Sequence, residues 1–218
     1  MTSIVIIIPS RLKAKRLPNK PLKLIGGKEI ILHVHNLAVK SGVGEVLVAT
    51  PDKAISELIK SNGGKSFISK ELHQTGTDRV FEAFKSFYSS KPKIIINLQG
   101  DMPNLDPDSI LFLGDYIKKG HCDVATLASP LKDNIEVKDE NIVKVITESN
   151  IEKSGFSEAI DFKRSIDETE NSFVYHHIGI YGFTSEALVK YVNLKRSKLE
   201  LERNLEQMRI LENKMKIH

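Results

Sequence analysis

The sequence is poor in several residue types, and each shortage narrows the classes of protein to which it can belong. Its 218 residues include one cysteine, Cys122, and no tryptophan. An intrachain disulfide is therefore impossible, and a reducing cytoplasm is the expected compartment. No apolar run approaches the roughly 18 residues that a membrane span requires. The apolar run at residues 4–8 is too short for the core of a signal peptide.

The chain also lacks a strong excess of one charge. It carries 32 Lys and Arg against 28 Asp and Glu, which gives a net charge of +4. A surplus this small does not require a nucleic-acid partner, but it fits an acidic small molecule.

Buried strands alternate with amphipathic helices along most of the chain, which predicts an α/β fold. Strands are expected at residues 3–8, 45–49, 65–68, 93–98, 123–128, 142–147 and 173–183, with helices at 29–41 and 50–61 among the connections. Near-even alternation of this kind favours a mostly parallel central sheet with right-handed crossovers. We expect one domain over residues 1–218, with residues 131–172 as an exposed, polar excursion.

Several polar residues stand where helices are expected to begin. Thr50 precedes a proline, Asp106 precedes another, and Thr77 opens a segment with an apolar helical stripe. Thr184 and Ser197 are the predicted caps of the last two helices, the second of which is expected to carry its apolar stripe to residue 211.

A cationic loop at residues 9–22 directly follows the first strand. Three prolines stiffen it, since each ring fixes φ and removes an N–H. Stiff cationic loops at the carboxyl ends of parallel strands bind anionic ligands, and Arg and Lys both suit a polyphosphate. A solvated basic surface or a weak nucleic-acid patch is the alternative, but apolar residues interleave with the cations. The cations are Arg11, Lys13, Lys15, Arg16 and Lys20.

A carboxylate follows the strand at residues 93–98. Asp101 comes directly after Gly100, a position suited to holding Mg²⁺ against a substrate phosphate. The alternative is that Asp101 caps the next turn. Because Asp106 already caps the following helix, we favour the metal role.

Two further segments are polar and less decisive. The segment at residues 71–79 opens a helix, and Gly76 would let a ligand approach the backbone, but a simple capped helix start explains it equally well. His176 and His177 are adjacent on a strand, so they face opposite sides and cannot chelate one ion together.

Six blocks of sequence together resemble the 3-deoxy-manno-octulosonate cytidylyltransferase family over essentially the whole chain. They are Ile-Ile-Pro-Ser-Arg at residues 7–11, Arg-Leu-Pro-Asn-Lys-Pro-Leu at 16–22, His-Gln-Thr-Gly-Thr-Asp-Arg at 73–79, Asn-Leu-Gln-Gly-Asp at 97–101, His-Ile-Gly-Ile-Tyr-Gly at 177–182 and Leu-Glu-Gln-Met-Arg at 205–209. The resemblance implies the three-layer nucleotide-diphospho-sugar transferase fold. It also implies a homodimer that joins CMP from CTP to an eight-carbon 3-deoxy-octulosonic acid (Kdo), with Mg²⁺ and release of pyrophosphate, for lipopolysaccharide synthesis. We expect the excursion at residues 131–172 to form the dimer contact, since a loose excursion buries little on its own.

The resemblance also implies a role for each matching residue. The catalytic and triphosphate-binding set is Arg11, Arg16 and Lys20, with Asp101 as the magnesium ligand. The nucleotide set adds Thr75, Gly76 and Arg79. The residues implied to meet the sugar acid are Gln99, His177, Tyr181, Glu206 and Gln207.

Three departures from the family pattern keep alternatives open. Met102 stands where the family usually has Glu, and Glu158 stands where it has Arg. The resemblance also implies a second metal-binding Asp beyond the segment matching residues 214–218, so we expect residues 1–218 to supply one of two carboxylates.

These departures suggest either a nucleotide-binding homologue that lacks full catalysis or an enzyme for an amino-substituted ulosonic acid. A glycosyltransferase of the same fold would need an Asp-x-Asp motif, which residues 101–103 do not provide. No Ser-His or Cys-His arrangement supports an acyl-enzyme route, and no general base is identifiable.

Overall fold

The computed structural model describes residues 3–13, 17–70, 73–166 and 173–218, and these ranges form alternating strands and helices. The strands are β1 (Ile4–Pro9), β2 (Leu24–Ile25), β3 (Lys28–Glu29), β4 (Glu45–Thr50), β5 (Lys65–Ile68), β6 (Ile94–Asn97), β7 (Val124–Ser129), β8 (Lys144–Thr147), β9 (Ala159–Lys163) and β10 (Phe173–Thr184). The helices are α1 (Ile30–Lys40), α2 (Lys53–Ser61), α3 (Gly76–Phe87), α4 (Pro107–Lys118), α5 (Asn134–Lys138), α6 (Ile151–Ser154), α7 (Ser185–Asn193), α8 (Lys198–Arg203) and α9 (Met208–Glu212), and Lys20–Leu22 forms a 3₁₀ turn.

Within the described residues, eight strands form one sheet in the order β5-β4-β1-β6-β10-β8-β9, with β7 also paired to β10. Strands β5, β4, β1 and β6 pair in parallel, while β10 is antiparallel to β6, β7 and β8. Because β9 is antiparallel to β8, six strands share one direction and only β9 and β10 oppose it. The prediction of a mostly parallel central sheet in an α/β fold is confirmed.

The sheet is buried on both faces, as the unbroken apolar run of β1 predicts. Ile4, Ile6 and Ile8 pack on one side with α1, α2 and α4. Val5 and Ile7 pack on the other side, which α3, α7 and α9 cover. The strands therefore form the middle of three layers. None of the helices in the described ranges is long and apolar enough to cross a membrane.

Residues 131–172 differ in part from the expected loose excursion. Strands β8 and β9 both come from this region and extend the main sheet, with Phe162 fully buried. The expectation of an exposed, polar excursion was therefore wrong for Ala159–Lys163, which forms β9. The short helix α5 at Asn134–Lys138 contains no buried residue. Whether this region forms a dimer contact stays a prediction.

Three helix boundaries differ from those expected. Helix α2 has Asp52 as its N-cap, because the Thr50 hydroxyl instead accepts a hydrogen bond from the Asp52 N–H at 3.1 Å. Helix α3 is capped by Thr75 rather than Thr77, through a capping box with Asp78. The final helix is divided into α8 and α9, because Asn204 adopts a left-handed conformation with φ of 52°. The caps predicted at Asp106, Thr184 and Ser197 are confirmed.

Candidate functional site

A cleft of about 260 Å³ opens where the carboxyl ends of β1 and β6 meet the amino end of α3. The register of the two strands pairs Ile7 with Asn97, which brings the residues after each strand to the same edge of the sheet. Ligands of open α/β sheets bind at this edge. The lining residues are Pro9, Ser10, Arg11, Lys20, Pro21, Gly76, Arg79, Gln99, Gly100 and Asp101.

Small residues let the walls of the cleft approach one another. A Cβ atom on Gly100 would lie 3.0 Å from the carbonyl oxygen of Pro9, closer than side chains normally tolerate. A Cβ atom on Gly76 would lie 3.4 Å from Oε1 of Gln99. Both positions therefore favour glycine because the loops after β1 and β6 and the start of α3 share a narrow space.

Two guanidinium groups, those of Arg11 and Arg79, line this cleft. Arg79 is 4% exposed, and its Nε donates to the Ser69 hydroxyl at 3.4 Å. Burial lowers the pKa of Arg79 and the charge of Arg11 lowers it further, while the charges of Asp52, Glu82 and Asp78 act in the opposite direction. Two like charges that repel each other across a cleft create a site that an anion stabilises.

A third cation is paired with Asp101, the carboxylate among the described residues that line the cleft. Nζ of Lys20 lies 2.7 Å from Oδ2 of Asp101, and the two side chains are 36% and 52% exposed. The exposed carboxylate is free to exchange this partner for a metal ion. Among the residues that the structure describes, no group of three or more His, Cys, Asp or Glu side chains is placed to hold a metal. One carboxylate still fits Mg²⁺, which takes one or two carboxylates together with substrate phosphates and water.

The cationic loop is tied down at both ends of its described part. The Leu12 N–H donates to Oδ2 of Asp52 at 2.8 Å, and the Asn19 N–H donates to the Leu12 carbonyl at 3.0 Å. These bonds fix the residues next to Arg11 and Lys20, and both of these cations line the cleft. The predicted site residue Arg16 lies outside the described residues, together with residues 14–15.

A second, more open hollow adjoins the cleft at Gly76. It measures about 360 Å³ and contains Thr75 and Glu206, two residues that the resemblance assigns to different substrates. The Thr75 hydroxyl caps α3, so its position is fixed by the helix start rather than by a ligand. The remaining lining residues are Gln74, Arg196 and Asn204.

Glu206 also lines a small inner hollow with Tyr181 and Gln207, so the structure brings these three predicted sugar-binding residues together. Burial raises the pKa of Glu206, although the hydrogen bond from Thr77 works in the opposite direction. Burial also raises the pKa of Tyr181 well above its usual value, and the charge of Glu206 adds to this. Tyr181 therefore remains a neutral hydrogen-bonding group at physiological pH.

His177 lies behind this inner hollow, with its ring centroid 5.6 Å from that of Tyr181. Its Nε2 is 3.0 Å from the Thr126 hydroxyl, and the side chain is buried. Burial lowers the pKa of His177 to about 3, so the ring is neutral at physiological pH. His176 is only half-buried, in keeping with adjacent strand residues that face opposite sides. The sugar-binding role of His177 stays a prediction.

The sequence alone did not single out several residues of the site. The Ser10 hydroxyl is buried at the edge of the cleft and has no hydrogen-bond partner among the residues that the structure describes. The sequence feature that could have identified Ser10 as a site residue is its position directly after β1. Thr77 and Asn97 form buried hydrogen bonds between the two predicted subsites, and Arg196 and Asn204 come from chain segments far from α3.

The two residues that depart from the family pattern lie in different surroundings. Met102 is half-buried against the apolar layer that contains α1 and α4. Glu158 is half-buried, and its carbonyl accepts from the Glu148 N–H at 2.9 Å. Its neighbours Ser157 and Ala159 line a separate apolar hollow with Phe112 and Phe156.

The mostly parallel α/β sheet, with a cationic cleft and one carboxylate at its carboxyl edge, defines a protein of the nucleotide-binding α/β class. Comparison with known proteins narrows this class. Residues 5–217 match the family described as Cytidylyltransferase. The chain is 35% identical over 217 residues to a 3-deoxy-manno-octulosonate cytidylyltransferase of Azorhizobium caulinodans, covering 99% of this chain and 86% of that protein.

A Bartonella tribocorum protein of the same name is 36% identical over 214 residues, covering 98% of this chain and 87% of that protein. Among solved structures, a CMP:2-keto-3-deoxy-manno-octonic acid synthetase complexed with CTP is 33% identical, with a TM-score of 0.87 over 99% of this chain and 88% of that one. A Leptospira borgpetersenii cytidylyltransferase, at 20% identity and a TM-score of 0.63, shares the fold. The chain belongs to the cytidylyltransferase family.

Proposed function

We propose that this protein transfers CMP from CTP to the anomeric hydroxyl of 3-deoxy-manno-octulosonic acid and releases pyrophosphate. The cleft that gathers Arg11, Lys20, Arg79 and Asp101 at one sheet edge carries the proposal. Its support is the similarity to a synthetase of known structure, which was solved with CTP and aligns over 99% of this chain. The net charge of +4 suits two anionic substrates.

The cations in the cleft bind the triphosphate in this proposal. Arg11 and Arg79 offer planar groups that pair with phosphate oxygens, and Lys20 offers a point charge. Ser10 and Gly100 line the same cleft. An anion between the two guanidinium groups also reduces their mutual repulsion, and this favours CTP binding.

Asp101 is the proposed magnesium ligand. A bound Mg²⁺ would neutralise charge that develops on the phosphate oxygens. If the ion pair between Asp101 and Lys20 opens when a metal binds to Asp101, Lys20 becomes free for the triphosphate. In the proposed arrangement, Asp101 would bind the metal and Lys20 would bind the triphosphate.

The acceptor is held by Gln99, Tyr181, Glu206 and Gln207 in the proposed arrangement. Neutral Tyr181 and the amides accept and donate hydrogen bonds to hydroxyl groups, and Arg196 in the adjoining hollow offers a cation to a carboxylate. The anomeric oxygen forms a bond to the α-phosphorus, and the bond from that phosphorus to the oxygen that bridges it to the β-phosphate breaks. Pyrophosphate leaves with that oxygen, and the hydroxyl proton passes to solvent. Orientation of the two substrates and neutralisation of the developing charge both contribute to the rate of such a displacement.

The experiment is a measurement of pyrophosphate release from CTP, with and without Mg²⁺, against a panel of ulosonic acids. The proposal expects Mg²⁺-dependent release with 3-deoxy-manno-octulosonic acid and none without an acceptor. Faster release with an amino-substituted acid would assign the alternative substrate that Glu158 suggests. CTP binding without release for any acid would instead identify a nucleotide-binding homologue, which the single carboxylate lining the cleft also allows.

We place the reaction in the cytoplasm and in the supply of lipopolysaccharide precursors, as the family resemblance implies. The proposed assembly is a homodimer built through residues 131–172. Large apolar side chains are exposed in this part of the molecule, where Ile135 is 77% and Ile160 is 56% exposed. The proposal expects these apolar side chains to lie in the surface that the second chain covers.

A further inference from the structure

A buried chain of hydrogen bonds joins the phosphate cleft to the hollow around Glu206. Nε2 of Gln99 donates to Oδ1 of Asn97 at 3.1 Å, and Nδ2 of Asn97 donates to the Thr77 hydroxyl at 3.0 Å. The Thr77 hydroxyl donates to Oε2 of Glu206 at 3.1 Å. Gln99 lines the cleft, whereas Glu206 lines the two adjoining hollows.

We propose that Asn97 and Thr77 are positioning residues, which fix the side chain of Gln99 and hold Glu206 as one connected unit across the two substrate subsites. The proposal rests on the proposed function and deepens it, because neither residue is assigned a role by the resemblance or by the comparisons. Neither residue lines the phosphate cleft, and Thr77 lines the small inner hollow beside Glu206, so both reach the phosphate cleft through Gln99.

Burial makes these two polar residues unusual for their positions. Asn97 is fully buried in β6 after three isoleucines, and Thr77 is 2% exposed on the inner stripe of α3, three residues before Val80. An apolar side chain would fill either position at lower desolvation cost, so a polar one is expected only where its hydrogen bonds are satisfied. Thr75 caps α3, and this leaves the Thr77 hydroxyl available for Glu206.

Glu206, the last member of this series of hydrogen bonds, sets which group donates and which accepts in each of them. An ionised carboxylate only accepts hydrogen bonds, so the Thr77 hydroxyl must donate to it and accept from the Asn97 amide. The Asn97 carbonyl oxygen then accepts from the Gln99 amide. Gln99 consequently presents its carbonyl oxygen, Oε1, beside Gly76 at the cleft, where it suits a donor such as a sugar hydroxyl.

Protonation of Glu206 would reverse this direction. A neutral carboxyl group can donate to Thr77, and the hydroxyl and both amides can then turn over, so that Gln99 presents its amide donors to the ligand. The ionisation of Glu206 is thus linked to the polarity that Gln99 shows to the substrate. The charged or titratable groups that face Glu206 are Asp78 of α3, Tyr181 of β10, Tyr191 of α7, Glu200 of α8 and Arg209 of α9, with Arg196 in the shared hollow.

The first test compares Thr77→Val, which removes the hydroxyl at nearly constant volume, with Thr77→Ser, which retains it. Carboxyl ¹³C NMR, assigned with Glu206→Gln, follows the ionisation of Glu206 in each protein. We expect Thr77→Val to raise the pKa of Glu206 by about one unit, since the ionised form loses a hydrogen bond, while Thr77→Ser leaves it unchanged. An unchanged pKa in Thr77→Val, or equal shifts in both variants, would overturn the proposal.

Steady-state kinetics provide the second readout. Thr77→Val should raise the KM for the sugar acid about tenfold, with the KM for CTP nearly constant. A loss of kcat with both KM values unchanged would be the result of a merely structural role and would contradict the proposal. If the unchanged protein releases no pyrophosphate with any acid, the proposed function fails, but the carboxyl titration still decides whether the hydrogen-bonded chain exists.

A measurement on the unchanged protein covers the case in which Thr77→Val does not fold. The side-chain amide ¹⁵N and ¹H resonances of Gln99 and Asn97 should titrate with the same midpoint as the Glu206 carboxyl carbon. Amide resonances that stay constant while Glu206 ionises would show that Gln99 and Asn97 do not respond to its charge, which overturns the proposal.

Discussion

Asp101 is a side chain that we expect to serve two different partners. It pairs with Lys20 at 2.7 Å in this structure and is the proposed ligand of Mg²⁺ when CTP is bound. Asp101→Asn removes a negative charge that faces the triphosphate, so CTP affinity without Mg²⁺ should stay constant or rise. Pyrophosphate release should fall about 100-fold, since charge neutralisation in the transition state is lost.

Asp115→Asn is the matched control for this variant. Asp115 pairs with Lys118 at 3.0 Å on α4, with side-chain exposures of 56% and 39% that resemble those of the cleft pair. The control should retain wild-type turnover and magnesium dependence. Equal turnover in Asp101→Asn and Asp115→Asn, measured by coupled pyrophosphate detection, would remove the metal role of Asp101.

His177 offers a second prediction at the level of a single residue. Its pKa is lowered from 6.5 to about 3 by burial, so the unfolded chain binds more protons than the folded one between these values. The native state therefore loses stability as the pH falls below about 6.5, and retains it fully above that value. His177→Gln should flatten this dependence, as measured by urea unfolding between pH 4 and pH 7 at about one-unit intervals. Parallel curves for both proteins would refute the assignment.

Among the elements, helix α3 links stability to the nucleotide site. Its capping box pairs Thr75 with Asp78, and α8 has an equivalent box of Ser197 and Glu200. Thr75→Ala and Ser197→Ala should each lower the free energy of unfolding by about 1 kcal/mol. Only Thr75→Ala should also weaken CTP binding, because α3 presents Gly76 and Arg79 to the cleft. Equal CTP affinity in the two variants, measured by calorimetry, would argue against this arrangement.

The elements also show which features a sequence can predict. Strands β1, β4 and β6 were predictable because continuous β-branched runs have few other solutions. Strand β9 was missed, since Ile160 is exposed and Phe162 is its one large buried side chain. The break between α8 and α9 was missed because the left-handed Asn204 interrupts an otherwise continuous apolar stripe.

The cleft was more predictable than the connections behind it. Arg11, Lys20 and Asp101 lie directly after parallel strands or in the loop that follows, so their approach follows from topology alone. The contact of Thr77 with Glu206 joins residues 129 positions apart. It depends on how α3 packs against the segment between α8 and α9, and no local pattern contains that information.

For the whole molecule, the proposed homodimer gives a prediction about residues 131–172. Ile160 is 56% exposed on β9, which forms one edge of the main sheet. Ile160→Asp should shift the protein toward a monomer in analytical ultracentrifugation, because a charge would be buried in the contact. Leu201→Asp on α8 is the matched control, since Leu201 is also 56% exposed, and it should leave the assembly unchanged. Identical sedimentation of both variants would place the contact elsewhere.

The whole molecule is proposed to work through one cationic cleft that binds CTP for transfer to a sugar acid. The decisive measurement is calorimetric titration of CTP into the protein, first without and then with Mg²⁺. The same titrations are made with Arg79→Met. We predict saturable binding that Mg²⁺ strengthens, heat of reaction on adding 3-deoxy-manno-octulosonic acid, and a loss of about 100-fold in affinity for the variant. Binding of CTP with the same affinity in Arg79→Met, or no binding to the unchanged protein, would contradict this proposal.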